Sequence, residues 1–319
     1  MNAYLVPLGR ALGESVAIAE LPGLSAEQIA HYHAEGFRDC RVAQQSVFEL
    51  SNDSLYDTVD YKRAREAVDL LTYAVDPVIL PSNNNMVNDP KWQEPDIRWF
   101  LQRTELRPAR VMGLALYNCA SYIGAVDLSL GLMRGGLVRT SLNLVAGIAT
   151  PDAPRVPNER HVHSDGAVSF LVTDDPGYEA KYQILAHRIA YVNPMDWRSL
   201  DGVVDTARYY SLKALRLRNL ARETLAAAGV SGGQIDHFFM QNLGRSRMVK
   251  NAGLCGVPEK SVWLDSLAGN AQVRGADSPI NFQECHDAGL IANGSTVMLM
   301  GTSGMSWGAL VLRRASEQD

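Results

Sequence analysis

The chain has 319 residues, of which 46% are apolar and 20% charged, which is the balance of a globular protein with a large core. The net charge of −5 removes any general attraction to nucleic acid or anionic membranes. The N-terminus lacks a signal-peptide pattern, and no apolar run approaches the roughly 20 residues that span a bilayer. Four cysteines without C-x-x-C spacing argue against a disulfide framework or a zinc site, so we expect a cytoplasmic protein with no bound metal.

The first half of the sequence predicts alternating helices and buried strands. Ser25 begins a helix that ends before Gly36, and Gln28 completes a capping box. A second helix is expected over residues 56–73. The other predicted elements are a strand over 76–81, a turn over 82–85, a helix over 99–106, strands over 111–116 and 142–147, a loop over 151–160 and a strand over 166–172.

The second half repeats a similar order of elements. It predicts a strand over 182–191, a helix within 200–228 that Gly229 ends, a strand over 235–240, a short helix over 244–252, and strands over 296–300 and 307–312. This alternation predicts an α/β fold. The similar order indicates an internal duplication, with halves at residues 1–174 and 175–319.

The predicted site is organised around residues 114–133. A short apolar strand turns at Asn118-Cys119 and continues as a helix that is apolar on nearly every face, which is typical of a helix inside a large protein. At the start of a helix, unpaired N–H groups and the helix dipole favour a thiolate over a thiol. Cys119 is therefore a candidate nucleophile, and the alternative is an ordinary core cysteine.

Four segments, in this order, resemble the thiolase superfamily and, within it, the β-ketoacyl-(acyl carrier protein) synthase III family. They are the nucleophile turn at 118–121, the Asp-Gly-Ala signature at 163–167, the active-site Asn loop at 268–270 and the Gly-rich turn at 301–309. The resemblance implies a thiolase-like duplicated αβαβα layered fold, a homodimer, and an acyl-Cys intermediate. It also implies that Asn270 binds the thioester carbonyl, and that the main-chain N–H groups of Cys119 and Ser303 form the oxyanion hole.

The sequence departs from this family where synthase III carries a histidine that assists decarboxylation. The stretch reads Phe239-Met-Gln-Asn-Leu-Gly-Arg245, with Met240 or Gln241 at the position of the histidine. It is similar instead to a divergent branch of acyltransferases from natural-product pathways, which transfer acyl groups to alcohols or amines. That branch carries a histidine at the Asn270 position and an aspartate a few residues later, near Asp277.

The motifs do not identify the residue that transfers a proton in the second step, in which the acyl group passes from Cys119 to the acceptor. Asn270 cannot act as a base near neutral pH. Asp277 is the first candidate, because it follows Asn270 on a loop expected to reach Cys119, and its alternative role is a helix cap. His163 and His237 come next. We expect His161, in a loop before His163, and the remaining histidines to be ordinary core or surface residues; Asn118 and Gln241 are expected polar groups of the pocket.

The most basic part of this acidic chain comprises Arg216, Arg218, Arg245, Arg247 and Lys250. Such a cluster suits an acidic acyl carrier protein or the phosphates of coenzyme A, or is a solvated helix face. Arg245 and Arg247 are the predicted donor-binding residues, and no permanently bound cofactor is expected.

The sequence therefore predicts an acyltransferase that loads an acyl group from a coenzyme A or carrier-protein thioester onto Cys119. The group then passes to a small alcohol or amine in secondary metabolism, without nucleic acid or membrane partners. The alternatives are a decarboxylative β-ketoacyl synthase, a catalytically silent partner subunit of one, and a thioester hydrolase.

Overall fold

A computed structural model of the chain describes residues 2–56, 58–77, 97–115, 117–149, 154–156, 161–191, 205–303 and 306–316. The strands in these ranges are β1 (Tyr4–Leu12), β2 (Glu14–Ala17), β3 (Asp39–Val42), β4 (Leu70–Pro77), β5 (Arg110–Leu114), β6 (Thr140–Ile148), β7 (Gly166–Thr173), β8 (Tyr182–Tyr191), β9 (His237–Phe239), β10 (Thr296–Thr302) and β11 (Ser306–Arg314). Nine of them form one sheet in the order β5-β4-β6-β7-β1-β8-β11-β10-β9, and β2 pairs with β3 separately.

The helices pack against this sheet and against one another. They are α1 (Ala26–Ala34), α2 (Val47–Asp53), α3 (Val59–Ala67), α4 (Ile97–Thr104), α5 (Ser121–Arg134), α6 (Thr206–Ala228), α7 (Arg245–Leu254), α8 (Leu267–Asn270) and α9 (Asp277–Asp287). Ser25 and Gln28 form the capping box expected at the start of α1. Gly229 ends α6 at φ 69, a left-handed conformation that glycine adopts without strain. None of the helices in the described ranges has both the length and the apolar character needed to span a bilayer.

The strand pairing repeats in the two halves of the sheet. From the centre outward, β1-β7 and β7-β6 are antiparallel and β6-β4 is parallel. In the second half, β8-β11 and β11-β10 are antiparallel and β10-β9 is parallel. A parallel bridge between Phe238 and Val262 lies where β5 pairs with β4 in the first half. The repeat agrees with the expected duplicated α/β fold, while the boundary at residues 174 and 175 stays a prediction.

Helix α5 lies in the core, as its apolar sequence predicts. Tyr122, Ile123, Ala125 and Val126 are each at most 1% exposed. Burying one such large side chain contributes about 1.5–3 kcal/mol to folding. The helix is therefore firmly held, and its first residue fixes the position of the turn that precedes it.

One predicted element is wrong, and three others lie partly or wholly outside the described residues. Helix α3 ends at Ala67, whereas the sequence predicted helix as far as residue 73. Leu70 and Leu71 lie in β4, which pairs with parallel strands on both sides and is fully buried at these positions. Such a strand shows a continuous apolar run rather than alternation, so the pattern is easily read as helix. The turn over 82–85, the last four residues of the strand over 76–81 and most of the loop over 151–160 lie outside the described residues.

Candidate active site

Cys119 lies in a short 3₁₀ turn, Asn118–Ala120, that leads directly into α5. Asn118 has φ 45, in the left-handed region that asparagine tolerates better than most residues. Its carbonyl accepts a hydrogen bond from Ser121 Oγ at 2.5 Å, and Ala120 N donates to Tyr117 O at 2.9 Å. The predicted strand-to-helix turn is therefore present, and it is held by its own hydrogen bonds.

Two glycines of the second half of the chain press against this turn. A Cβ atom on Gly301 would collide with the main-chain carbonyl of Cys119, and one on Gly275 would lie 2.7 Å from Asn118 O. Only glycine allows the backbone to approach so closely. The position of Cys119, the candidate nucleophile, is thus fixed by main-chain contacts from both glycines.

A cavity of about 630 Å³ opens beside Cys119. Its described lining comprises Asn118, Cys119, His161, Tyr209, Tyr210, Lys213, Ala214, Leu217, Leu243, Ser246, Arg247, Lys250, Asn251, Leu254, Gln272, Thr302 and Ser303. Cys119 is part-buried, whereas the other three cysteines are buried. Burial raises the pKa of Cys40 to about 11 and the pKa values of Cys255 and Cys285 to about 12. Those three remain protonated thiols near neutral pH. Cys119 is the one cysteine in the described lining of the cavity.

Ser303 lines the cavity, but its main-chain N–H already has an acceptor within the turn. Ser303 N donates to Ser306 O at 3.0 Å, and Trp307 Nε1 donates to Ser303 O at 2.7 Å. The oxyanion role predicted for this N–H requires the first bond to open. Gln241 is fully buried and lies outside the described lining; its amide donates to Thr302 O and ties the end of β9 to the end of β10.

The loop after α8 presents a different amide from the one predicted. Asn270 is 2% exposed and donates from Nδ2 to Glu284 Oε2 at 3.2 Å, away from the described lining of the cavity. Gln272 lines the cavity instead. Its main chain pairs with an extended segment at 162–164, through Gln272 N to Val162 O and Ser164 N to Gln272 O, both 2.8 Å.

Asp277 is enclosed by protein and is not among the described lining residues of the cavity. It is 0% exposed and accepts hydrogen bonds from the main-chain N–H groups of Val273, at 2.5 Å, and Asn242, at 3.3 Å. Burial raises the pKa of this carboxyl well above its usual range. These contacts make Asp277 a residue that fastens two loops together, close to the structural alternative considered for it.

His163 is held as a neutral ring behind the cavity. Arg274 donates to His163 Nδ1 at 3.1 Å. Burial, together with the nearby Arg274, His161 and Arg155, lowers the pKa of His163 to about 3. Asp165 of the Asp-Gly-Ala signature has a structural role: it forms two hydrogen bonds with the Arg155 guanidinium, at 2.7 and 2.8 Å, and is 0% exposed.

His161 and His237, the two remaining histidines near the site, differ in position: only His161 belongs to the described lining of the cavity. His161 lines the cavity with Cys119, and its ring lies parallel to that of His163, with 6.4 Å between centroids and 9° between planes. His237 lies in β9 with its Nδ1 at 3.9 Å from Cys285 Sγ, outside the described cavity lining. Burial lowers the pKa of His237.

Long cationic side chains from two helices form another part of the cavity wall. Lys213 of α6 and Arg247 and Lys250 of α7 belong to the lining, with Tyr209 and Tyr210. Arg245 instead faces Glu259 at 3.7 Å on the surface, and Arg216 and Arg218 lie on α6 outside the described lining. Arg247 and Lys250 are thus the members of the predicted basic cluster that reach the cavity.

Sequence reasoning missed His161, Gln272 and Lys213 as residues of the cavity. A signal existed for His161, because in an extended segment it shares a face with His163 two positions later. Gln272 lies two positions after Asn270 in the same loop, so the motif indicated the loop but not the residue. Lys213 lies in a long amphipathic helix that carries no motif.

Comparisons with known proteins give a family match over part of the chain and a shared fold over nearly all of it. Residues 225–314 match the family model of the 3-oxoacyl-[acyl-carrier-protein (ACP)] synthase III C terminal. None of the curated proteins compared with the chain matches its sequence. Among solved structures, ChlB3, described as an acyltransferase, is similar with a TM-score of 0.80 and 20% identity, over 99% of this chain and 98% of that chain.

Further similar structures extend the same likeness. The 3-oxoacyl-[acyl-carrier-protein] synthase III of Aquifex aeolicus VF5 has a TM-score of 0.75 and 17% identity, over 98% of this chain and 99% of that chain. OleA of Xanthomonas campestris, with bound lauric acid and lauroyl-CoA, has a TM-score of 0.70 and 13% identity, over 98% and 99%. The chain therefore has the fold shared by these structures, and its residues 225–314 match the C-terminal part of synthase III, in agreement with the resemblance of the sequence motifs.

Proposed function

We propose that the protein is an acyltransferase that takes an acyl group from a thioester onto Cys119 and passes it to a small alcohol or amine. The observation that carries the proposal is the position of Cys119, at a glycine-fixed helix start, in a cavity with a cationic wall. In the first step the Cys119 sulfur attacks the thioester carbonyl, the carrier thiol leaves with a proton, and the acyl group remains on Cys119. The similarity to ChlB3 supports this reaction class.

The acyl donor is a coenzyme A or carrier-protein thioester. Lys213, Arg247 and Lys250 place three positive charges in the cavity lining, which suits the phosphates of a phosphopantetheine arm. Arg245 adds charge on the surface beside them. The homodimer, the cytoplasmic location and the absence of a permanent cofactor are carried forward from the sequence as predictions.

Transfer without decarboxylation is favoured over chain extension. Met240 and Gln241, which stand where synthase III carries its histidine, are both 0% exposed and lie outside the described lining of the cavity. Neither side chain supplies the charged or ionisable group that would stabilise an enolate there. A malonyl thioester should therefore be a poor substrate.

A silent partner subunit is the second candidate function. The observation in its favour is that two predicted catalytic residues, Asn270 and Asp277, are held by Glu284 and by main-chain N–H groups. A silent subunit would keep the cavity but would not form an acyl-enzyme. The same experiment decides between the two functions.

The test is intact-protein mass spectrometry after incubation with acetyl-, butyryl-, benzoyl- and malonyl-coenzyme A. We expect a mass increase of one acyl group, absent in Cys119→Ala and retained in Cys255→Ala, whose thiol is buried. Product analysis with a panel of alcohols and amines then identifies ester or amide. The absence of any acyl-enzyme with all donors, including carrier-protein thioesters, would favour the silent subunit, and free acid as the sole product would favour a hydrolase.

A further inference from the structure

His161 is the one histidine in the described lining of the cavity that holds Cys119. The other ionisable side chains in that lining, besides Cys119, are Tyr209, Tyr210, Lys213, Arg247 and Lys250. Among side chains of these types, the imidazole of histidine is the usual general base in enzymes. Proton transfer at neutral pH therefore points to His161.

The three other candidates for the base lie at other places in the described structure. Asp277 is fully enclosed and bound by main-chain N–H groups. His163 accepts a hydrogen bond from Arg274, and His237 lies beside Cys285. None of the three belongs to the described lining of the cavity.

The backbone around His161 is held in place. Val162 and Ser164 are hydrogen-bonded to the main chain of Gln272, the residue that lines the cavity from the next loop. This pairing sets His161 and His163 side by side with parallel rings. The backbone on both sides of this histidine pair is thus held, and His161 is the member of the pair that lines the cavity.

We infer that His161 is the general base for attack of the acceptor on acyl-Cys119, an inference that rests on the proposed acyltransferase function. The acceptor oxygen or nitrogen forms a bond to the acyl carbon while its proton passes to the His161 imidazole. The carbon–sulfur bond then breaks and its electron pair stays on the Cys119 sulfur. The proton moves from the imidazolium to this thiolate, which restores both side chains and releases an ester or amide.

The experiment compares two nucleophiles that differ in their need for a base. Acyl-enzyme is prepared with acetyl-coenzyme A, freed of donor, and its decay is followed by intact mass spectrometry in water with 1-butanol, or in hydroxylamine. Hydroxylamine attacks thioesters without a base. We expect His161→Ala to slow decay in water and butanol by about tenfold or more and to leave hydroxylamine decay within about twofold. His31→Ala, which removes an exposed histidine, should match wild type in both.

Each other outcome contradicts the inference. Equal slowing with both nucleophiles would mean that His161 only shapes the cavity, and unchanged decay with both would mean that it takes no part. His161→Gln is measured beside it; if neither variant forms an acyl-enzyme while wild type does, the role is structural or belongs to the first step. If the wild-type protein itself forms no acyl-enzyme, the proposed acyltransferase function is wrong. The mass spectrum of the wild type therefore separates that outcome from a failure of the inference about His161 alone.

Discussion

The two walls of the cavity are built in different ways. One wall holds Asn118, Cys119 and His161, all from the first half of the chain, on backbone fixed by hydrogen bonds and glycine contacts. The other wall consists of α6 and α7, which contribute Lys213 and exposed long side chains such as Arg247. The wall that holds Cys119, the rigid wall, is positioned by its main chain. The wall formed by α6 and α7, the adjustable wall, presents long and flexible cationic side chains. We therefore expect changes in the first wall to lower the rates of reaction, and changes in the second to weaken donor binding.

The largest effect should come from displacing the rigid wall without touching a reactive side chain. In Gly301→Ala, the new methyl group collides with the carbonyl of Cys119 and must push the nucleophile turn aside. A misplacement of about 1 Å can cost roughly 10²-fold in rate, so single-turnover acylation should fall by about that factor.

Its matched control is Gly131→Ala, since a Cβ at this position on α5 meets nothing within 4 Å. Removing a glycine from a helix interior stabilises it by about 0.5–1 kcal/mol, so this variant should be slightly more stable and fully active. Wild-type acylation in Gly301→Ala, with the variant folded, would show that the turn is less rigid than its contacts indicate.

The next effect concerns His163, whose ring lies beside that of His161 in the rigid wall. The pKa of His163 is about 3 in the folded protein against an ordinary 6.5, so between these values the unfolded chain binds a proton that the folded chain does not. The neutral ring of His163 makes its full contribution to the free energy of unfolding above pH 6.5, and this contribution is lost as the pH falls toward 3. By pH 5 this loss amounts to about 2 kcal/mol.

Urea unfolding at pH 7 and pH 5 measures this difference. His163→Gln, which can still accept from Arg274, should lose about 2 kcal/mol less than wild type over the interval. Arg155, Arg274 and His161 face the same ring and remain in both proteins, so the difference isolates His163. The exposed control His31→Gln should follow wild type. An identical pH dependence in His163→Gln would show that this ring is not held neutral.

The sequence predicted the turn at Cys119 better than it predicted the role of His161 or of the loops around the cavity. The turn at Cys119 and the Gly-rich turn at Gly301 depend on local backbone geometry. Such geometry selects the types of the neighbouring residues, so it can be recognised in the sequence. The amide of Asn270 depends on Glu284, fourteen residues away. The burial of Asp277 likewise depends on Asn242, thirty-five residues away. Such distant partners decide which side chains face a cavity, and no local pattern records them.

A third prediction separates the two amides of that loop. Gln272→Met keeps the size of the side chain in the cavity and removes its polar atoms. We expect acylation to slow by about tenfold, because an amide donor near the thioester carbonyl stabilises the transition state. Asn270→Leu removes a buried partner of Glu284 and should cost about 1–3 kcal/mol in urea unfolding, with acylation by the folded protein unchanged. The reverse pattern would restore Asn270 to the role that its motif implied.

The smallest effect should appear on the adjustable wall. Arg247 lines the cavity from α7, where its exposed, flexible side chain meets an anionic donor in water rather than in a dry interior. Such exposed charge contacts are each worth well under about 1 kcal/mol, and a reversal of charge adds repulsion. Arg247→Glu should therefore raise KM for acetyl-coenzyme A about fivefold while kcat changes less than twofold.

Arg218→Glu makes the same change of charge on α6, at an exposed position outside the described lining of the cavity, and it serves as the control. If the wall binds the donor through its cavity side chains, Arg218→Glu should leave KM near the wild-type value, and the Arg247→Glu effect should shrink as salt is raised. Equal shifts in both variants would mean that the donor responds to the general field of the two helices. A fall in kcat with KM unchanged would mean that Arg247 acts on the transition state and not on donor binding. That result would contradict the assignment of rate to one wall and donor binding to the other.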